Sequence, residues 1–474
     1  MSSSEHHHDE EEDVPEDEML NPEDAEEEIP EDEDHPMEDD EAEEEIQFQN
    51  DSAAHFDTHT DSIFCIAQHP LLPSIVVTGG GDDTAYIFDA SLPDGPVLPS
   101  SYESNPQPKG EREGLKAIQK LDGHADSVNA VAFTQPSGEY VVTAGLDGKL
   151  RAWRGDKTAY KWAFVAEAQE VQEINWVSVS SHPQHPNTIA LGANDGSVWV
   201  YQINAQDKES PLNILQAYYL HTESCTAGAW TPDGSLLGTV SEDGSFYVWD
   251  VFGTGQAAVS LTAEDQRFAV EGGLYSVALS QTIAAVGGAG GNIKIVGLPQ
   301  VGALDANTSS SKKTKAGAGN SGKALSSSAG QILASLQAQS DGIETLSFSQ
   351  PPLTLLAAGS VDGSIALFDT AHRFAVRRHI REAHEEFAVV KVEFVRNPQK
   401  AHFLTTAGMD GVIKRWDTRG GTTAAGQGFM AEWRGHRGDG EGGGVLGFVQ
   451  GPSGDRIVTA GDDGISLVFK ADIA

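Results

Sequence analysis

The chain has 474 residues and carries 72 acidic against 30 basic side chains, a formal net charge of −42. Such a charge disfavours nucleic acid and anionic membrane as partners, because phosphate would be repelled, and it favours basic proteins. Two cysteines give neither a disulfide framework nor a zinc motif, and no apolar run is long enough to cross a bilayer.

Residues 1–45 hold 25 of the acids and no Lys or Arg, leaving 47 acids and 30 bases, a net of −17, for the remainder. With few large apolar side chains and strong self-repulsion, this segment reads as a disordered acidic tail. Its role is solubility, or screening a basic client until delivery. His6, His7 and His8 within it make only a weak metal site, and no metal, cofactor or small-molecule substrate is expected. Cys65 and Cys225 lie in apolar runs and read as lone buried thiols of a soluble protein in a reducing compartment, the cytoplasm with the nucleus as a second location.

Residues 46–474 read as one all-β domain built from a repeat. Eight times, a run of small and β-branched residues meets a tight turn and then a short strand. The turns are Gly81-Asp82-Asp83, Leu146-Asp147-Gly148, Asn194-Asp195-Gly196, Glu242-Asp243-Gly244, Ala289-Gly290-Gly291, Val361-Asp362-Gly363, Met409-Asp410-Gly411 and Asp462-Asp463-Gly464. Glycine accepts the positive φ that such a hairpin turn needs. Where no insertion intervenes, the turns lie about 48 residues apart, near the period of a four-stranded propeller blade. Eight blades are expected, with seven blades and a linker as the competing count. The weak repeat is the fifth, Leu274 to Val296, which has neither the Asp nor the Trp of the others.

The second repeat is the cleanest: Gly123-His124, Val128 to Phe133, Tyr140 to Thr143, Asp147, then Lys149 to Trp153. The fourth ends in Trp249-Asp250 and the seventh in Trp416-Asp417. Here the sequence resembles the WD-repeat family. The resemblance implies a buried hydrogen-bond chain from indole through hydroxyl and imidazole to carboxylate in three blades. Its members are His124, Thr143, Asp147 and Trp153; His221, Thr239, Asp243 and Trp249; and His384, Thr406, Asp410 and Trp416. Recurrence of one triad in separate blades argues for a structural task rather than for catalysis. His59, Thr78 and Asp82, and His436, Thr459 and Asp463, keep part of the set and end in Phe88 and Phe469.

Two segments interrupt the rhythm, 90–114 (Pro, Ser, Gly) and 303–330 (Ser, Gly, Ala, Lys), and both read as flexible loops between third and outer strands. The last repeat stops after its third strand. The alternating segment Ile46-Gln47-Phe48-Gln49 is expected to supply the missing outer strand and close the ring.

In a propeller the loops leading into inner strands and the turns after second strands converge on one face. By register that face holds Asp61, Phe64, Asp126, Asn129, Glu173, Glu223, Glu242, Tyr275, Glu344 and Asp462, with Asn175 and Thr226 at equivalent positions. Carboxylates with a few aromatics suit an extended Arg/Lys-rich peptide.

His59 to Cys65, Val77 to Asp83, Ile174-Asn175-Trp176 and Gly192 to Trp199 resemble one branch of the WD-repeat family more closely. That branch takes in the angio-associated migratory cell proteins and fungal ribosome-assembly chaperones dedicated to one large-subunit ribosomal protein, L-ten (universally L-sixteen). The resemblance implies a monomeric chaperone, not an enzyme, whose client is a basic ribosomal protein. A histone-tail-binding scaffold and a ubiquitin-ligase substrate receptor are the other readings, the latter lacking a docking helix.

Overall fold

Small and β-branched residues fill the second strand of every repeat, as in Ile75–Gly80, Tyr140–Gly145 and Phe403–Gly408. In the computed structural model of the chain these three strands are buried along their whole length. Burial on both faces explains why they read as continuous apolar runs rather than as alternating ones. The structure describes residues 49–92, 114–300, 328–420, 425–437 and 443–471. The expectations for the acidic tail, for His6–His8 and for most of the two insertions lie outside them.

Among the described residues the strands form eight four-stranded antiparallel sheets, so the count of eight holds and seven does not. The inner strands are Ile63–Gln68, Val128–Phe133, Ile174–Val179, Cys225–Trp230, Leu274–Leu279, Ile343–Phe348, Val389–Phe394 and Val445–Val449. We number the blades one to eight in this order. Both insertions fall between a third and an outer strand, Asp89 to Ala117 in blade one and Gly297 to Ile332 in blade five. Eight hydrophobic clusters form the core, each shared by two neighbouring blades. Blade five survives its lost Asp and Trp this way. Ala284 and Val286 pack towards blade four, and Ala285, Ile293 and Ile295 towards blade six. Six turn glycines (148, 196, 244, 363, 411 and 464) have φ between +71° and +82°. In blade one Asp83 takes that place at +60°.

Ring closure differs from the expectation. Gln49 is not in a strand, and Ile46 to Phe48 lie outside the described residues. The outer strand of blade eight is Ala54–Phe56, with Ala54 opposite Val468 and Phe56 opposite Ser466. Phe56 is fully buried and stacks on Phe88 of blade one at 4.3 Å. Asp51 and Arg434 fix the approach through two bonds, Asp51 N–H to the Arg434 carbonyl (2.8 Å) and Arg434 N–H to the Asp51 carboxylate (2.9 Å). Three residues are too few to show a period, so the longer alternating run was the more visible signal.

The buried polar chains form in five blades, with two departures. Imidazole bridges threonine and carboxylate in the sets His59–Thr78–Asp82, His124–Thr143–Asp147, His384–Thr406–Asp410 and His436–Thr459–Asp463, at 2.7–3.1 Å. The indoles of Trp249 and Trp416 donate to Thr239 and Thr406 at 2.9 and 3.0 Å. Trp153 does not extend its chain in this way. It packs edge-on against Phe164 with the Arg151 guanidinium over its ring. In blade four His221 reaches its carboxylate through a serine. Nδ1 meets Ser245 Oγ at 2.6 Å, and Ser245 bonds Asp243. Blade six has Gln339 in the histidine's place, donating to the Ser364 carbonyl at 2.8 Å.

Two outcomes follow for stability. Deleting residues 1–48 should leave the melting temperature unchanged, whereas deleting 1–57 should lower it by several degrees or more. The longer deletion exposes the Ser466–Lys470 edge and empties the Phe56 site. Separately, burial pushes the His221 imidazole down from 6.5 to about 4, against the opposing charge of Asp243. A base depressed in the folded state binds its proton first in the unfolded chain. Its contribution is therefore complete above pH 6.5 and is lost as pH falls towards 4, on the order of 3 kcal/mol in all. His221→Gln, which copies the arrangement around Gln339, should flatten that acid limb in denaturant titrations from pH 7 to pH 4. An unchanged slope would contradict it.

Candidate partner-binding face

Each blade joins its turn to its inner strand by one repeated bond. The amide just before the turn's Asp position donates to the carbonyl just before the inner strand. The pairs are Gly81–Ser62, Leu146–Ser127, Asn194–Glu173, Glu242–Ser224, Ala289–Gly273, Val361–Gly342, Met409–Ala388 and Asp462–Gly444, all at 2.9–3.2 Å. Turns and incoming loops therefore meet on one face in every blade. A second device sits just below. All eight inner strands shift register across their second residue: Phe64, Asn129, Asn175, Thr226, Tyr275, Glu344, Val390 and Leu446. A bulge leaves its residue out of the ladder and re-aims the side chain.

Three of these bulged residues tie blades together. Asn129 Nδ2 donates to the Ile174 carbonyl (2.6 Å), Asn175 Nδ2 to the Cys225 carbonyl (3.1 Å), and Thr226 Oγ1 to the Leu274 carbonyl (2.7 Å). Asn129, expected as a contact residue, is thus engaged with blade three through its nitrogen, while its Oδ1 is buried without a partner. Phe64 and Glu344 are exposed and Tyr275 is half-buried, with its hydroxyl donating to the Gly272 carbonyl.

The carboxylates fall where the register puts them. Asp61, Asp126, Glu173, Glu223, Glu242 and Glu344 are exposed, and Asp462 is half-buried. Asp61 and Asp126 each accept the amide of the following serine at 2.7 Å, which orients one oxygen and leaves the other free. Asp341 does the same with Gly342 in blade six, also at 2.7 Å. Counting two positions from a histidine missed it, because blade six carries Gln339 there; the Gln339–Asp362 interval would have shown it.

Two acid–aromatic groups emerge at separate blade boundaries of the ring. Around blades eight and one, Asp61 and Phe64 both lie over Gly81, where an added Cβ would sit 3.0–3.2 Å from them. Ser62 Oγ donates to Asp462 at 2.7 Å. Around blades five and six, Tyr275 and Glu344 flank Gly342, whose added Cβ would meet them at 3.5 and 3.7 Å. Much of the Glu344 side chain meets solvent, yet packing around its carboxyl and then the charge of Asp341 push its pKa up. Between the groups, Glu173 edges a cavity of about 580 Å³ with Glu170, Asn194 and Asp195.

The two cysteines are free, Cys225 buried and Cys65 partly so, and burial pushes both thiols up. No group of three potential metal ligands occurs among the described residues, and no described helix is long and apolar enough to cross a membrane.

Residues 50–89, 115–154, 212–250 and 330–369 match the family described as WD domain, G-beta repeat. Each match begins near the outer strand of one blade and ends in the third strand of the next, so the sequence repeat is offset from the blade. Among relatives, ribosome assembly protein SQT1 of Saccharomyces cerevisiae is 31% identical over 92% of this chain and 90% of its own. The angio-associated migratory cell protein of Homo sapiens is 24% identical over 89% of this chain and 80% of its own. A crystal structure of Chaetomium thermophilum Sqt1 bound to the N-terminus of ribosomal protein L10 superposes with a TM-score of 0.75 at 50% identity, covering 89% of this chain and 100% of that one. Identity at this level across the whole eight-bladed ring, with the repeat bonds that build it, means that the chain belongs to the Sqt1 family of WD-repeat ribosome assembly proteins.

Proposed function

We propose that this chain is a dedicated chaperone and ribosome-assembly factor. It holds the basic N-terminal segment of ribosomal protein L10 (uL16) across its acidic face and delivers it to the large ribosomal subunit. The observation that carries this reading is the half-identity of the chain to a protein solved with the L10 N-terminus in place. The side chains of the face supply the chemistry. Asp61, Asp462 and Phe64 on one side of the opening, and Glu344, Asp341 and Tyr275 on the other, can each take a guanidinium between carboxylate and ring. Asp126, Glu173, Glu223 and Glu242 line the arc between them. Such a face associates fast, and its affinity falls with salt.

The protein acts by binding rather than by catalysis. Its His–Asp–Thr sets are buried among blades, where a substrate would have to displace the fold's own bonds. The cytoplasm, where a new ribosomal protein is made, is the place of action.

Glu344→Lys and Asp126→Lys should each weaken binding of an L10 N-terminal peptide on the order of tenfold or more. The melting temperature should stay unchanged, and the dependence of affinity on salt should become shallower. Calorimetric titration at low and moderate salt checks this, with a histone-tail peptide of equal charge as control. Equal affinity for both peptides would replace the dedicated client with general acidity.

A further inference from the structure

In four of the five repeats that carry the histidine, the two residues before it include a small or polar side chain: Asp57-Thr58, Asp122-Gly123, Glu382-Ala383 and Arg434-Gly435. The fourth blade instead is approached by Tyr219-Leu220, and both stand in water, 66% and 50% exposed. Their backbone is well held, since the Leu220 carbonyl accepts the Tyr247 hydroxyl at 3.3 Å. Trp199 meets the Tyr219 ring edge-on at 5.8 Å, and its own indole N–H is fixed on Ser197 at 3.0 Å. Tyr219 and Leu220, with the half-buried Trp199 behind Tyr219 and packed on the core between blades two and three, thus make a shelf whose outer apolar surface stands in water.

The shelf adjoins the acidic face. The turn at Gly196 sits directly against the loop that follows the shelf: an added Cβ there would be 2.6 Å from the Glu223 carbonyl and 2.8 Å from that of His221. On the other side of that turn lies the cavity of about 580 Å³ edged by Glu170, Glu173 and Asp195. Val171, which lines that cavity, belongs to the core cluster against which Trp199 packs, so cavity and shelf lie on the same side of blade three.

We propose that the acidic face continues outward over blade three as a second subsite for the same basic peptide. The cavity takes an arginine or lysine, and the Trp199–Tyr219–Leu220 shelf takes an apolar or aromatic residue beside it. This rests on the reading of the face as a client cradle. It adds a direction, in that the client leaves the central opening across blade three. The chemistry matches on both counts. The carboxylates pair with a cation while the neighbouring rings stack on its plane or on an adjacent apolar side chain. A rigid shelf loses little freedom when it is covered.

Titration of the full chain with L10 N-terminal peptides lengthened stepwise tests it. Tyr219→Ser and Glu170→Lys, both on exposed positions, should each lower affinity for the longest peptide on the order of tenfold. They should leave the shortest binding peptide and the melting temperature unaffected. Added salt should shrink the Glu170→Lys loss and spare the Tyr219→Ser loss. Unchanged affinity for every length in both variants, or equal loss at all lengths, overturns the second subsite while the cradle stands. If the parent protein binds no length, the cradle itself falls, and the second subsite with it.

Discussion

No blade of this protein has a core of its own. Each four-stranded sheet presents two apolar faces, and each face is buried only by the next blade, in eight shared clusters that follow one another around the ring. An open ring would leave two such faces in water. Closure by Ala54–Phe56 therefore completes the sheet of blade eight and also the cluster between blades eight and one, where Phe56 packs with Phe88, Val76 and Val458. The same sharing tolerates blade five, since a blade needs correct faces more than it needs the polar chain of its siblings.

The acidic face follows from that constraint. Eight blades that must pack at a fixed pitch also fix eight turns and eight incoming loops, each clamped by the same backbone bond. The bulge at the second residue of every inner strand then divides the positions at the opening into two sorts. Asn129, Asn175 and Thr226 reach sideways to the next blade's backbone and hold the ring together. Phe64, Tyr275 and Glu344 occupy the same structural position and face solvent, Tyr275 in part. One backbone irregularity thus ties neighbouring blades in some places and presents a side chain to solvent in others, decided by the side chain alone.

The electrostatics complement this rigidity. Carboxylates such as Asp61, Asp126 and Asp341 accept one amide each, which fixes their direction without neutralising them. The raised pKa of Glu344, from packing and then from Asp341, marks a place where negative charge is crowded before any partner arrives.

Much of this was legible in the sequence because it rests on local rules repeated eight times. The Asp-Gly turns, the spacing of about 48 residues and the buried second strands fix the architecture, and the register along the repeat places ten face residues, all exposed or half-exposed and eight of them free of side-chain ties between blades, Asn129 and Asp462 being the exceptions. What escaped depends on contacts between segments far apart in the chain. Ala54–Phe56 is a strand only because a site between blades eight and one receives Phe56. His221 reaches Asp243 only through Ser245. Trp153 turns to Phe164 and Arg151 rather than to Thr143. Asn129 looks like its exposed equivalents until the Ile174 carbonyl stands beside it. The sequence by itself determined the ring, its blade count and the sign of its face, since period, turn chemistry and charge are carried by neighbours in the chain. Only the tertiary structure decided which residues close the ring, which tie its blades and which are left facing outward, because those roles depend on what the next blade brings within hydrogen-bonding or packing distance.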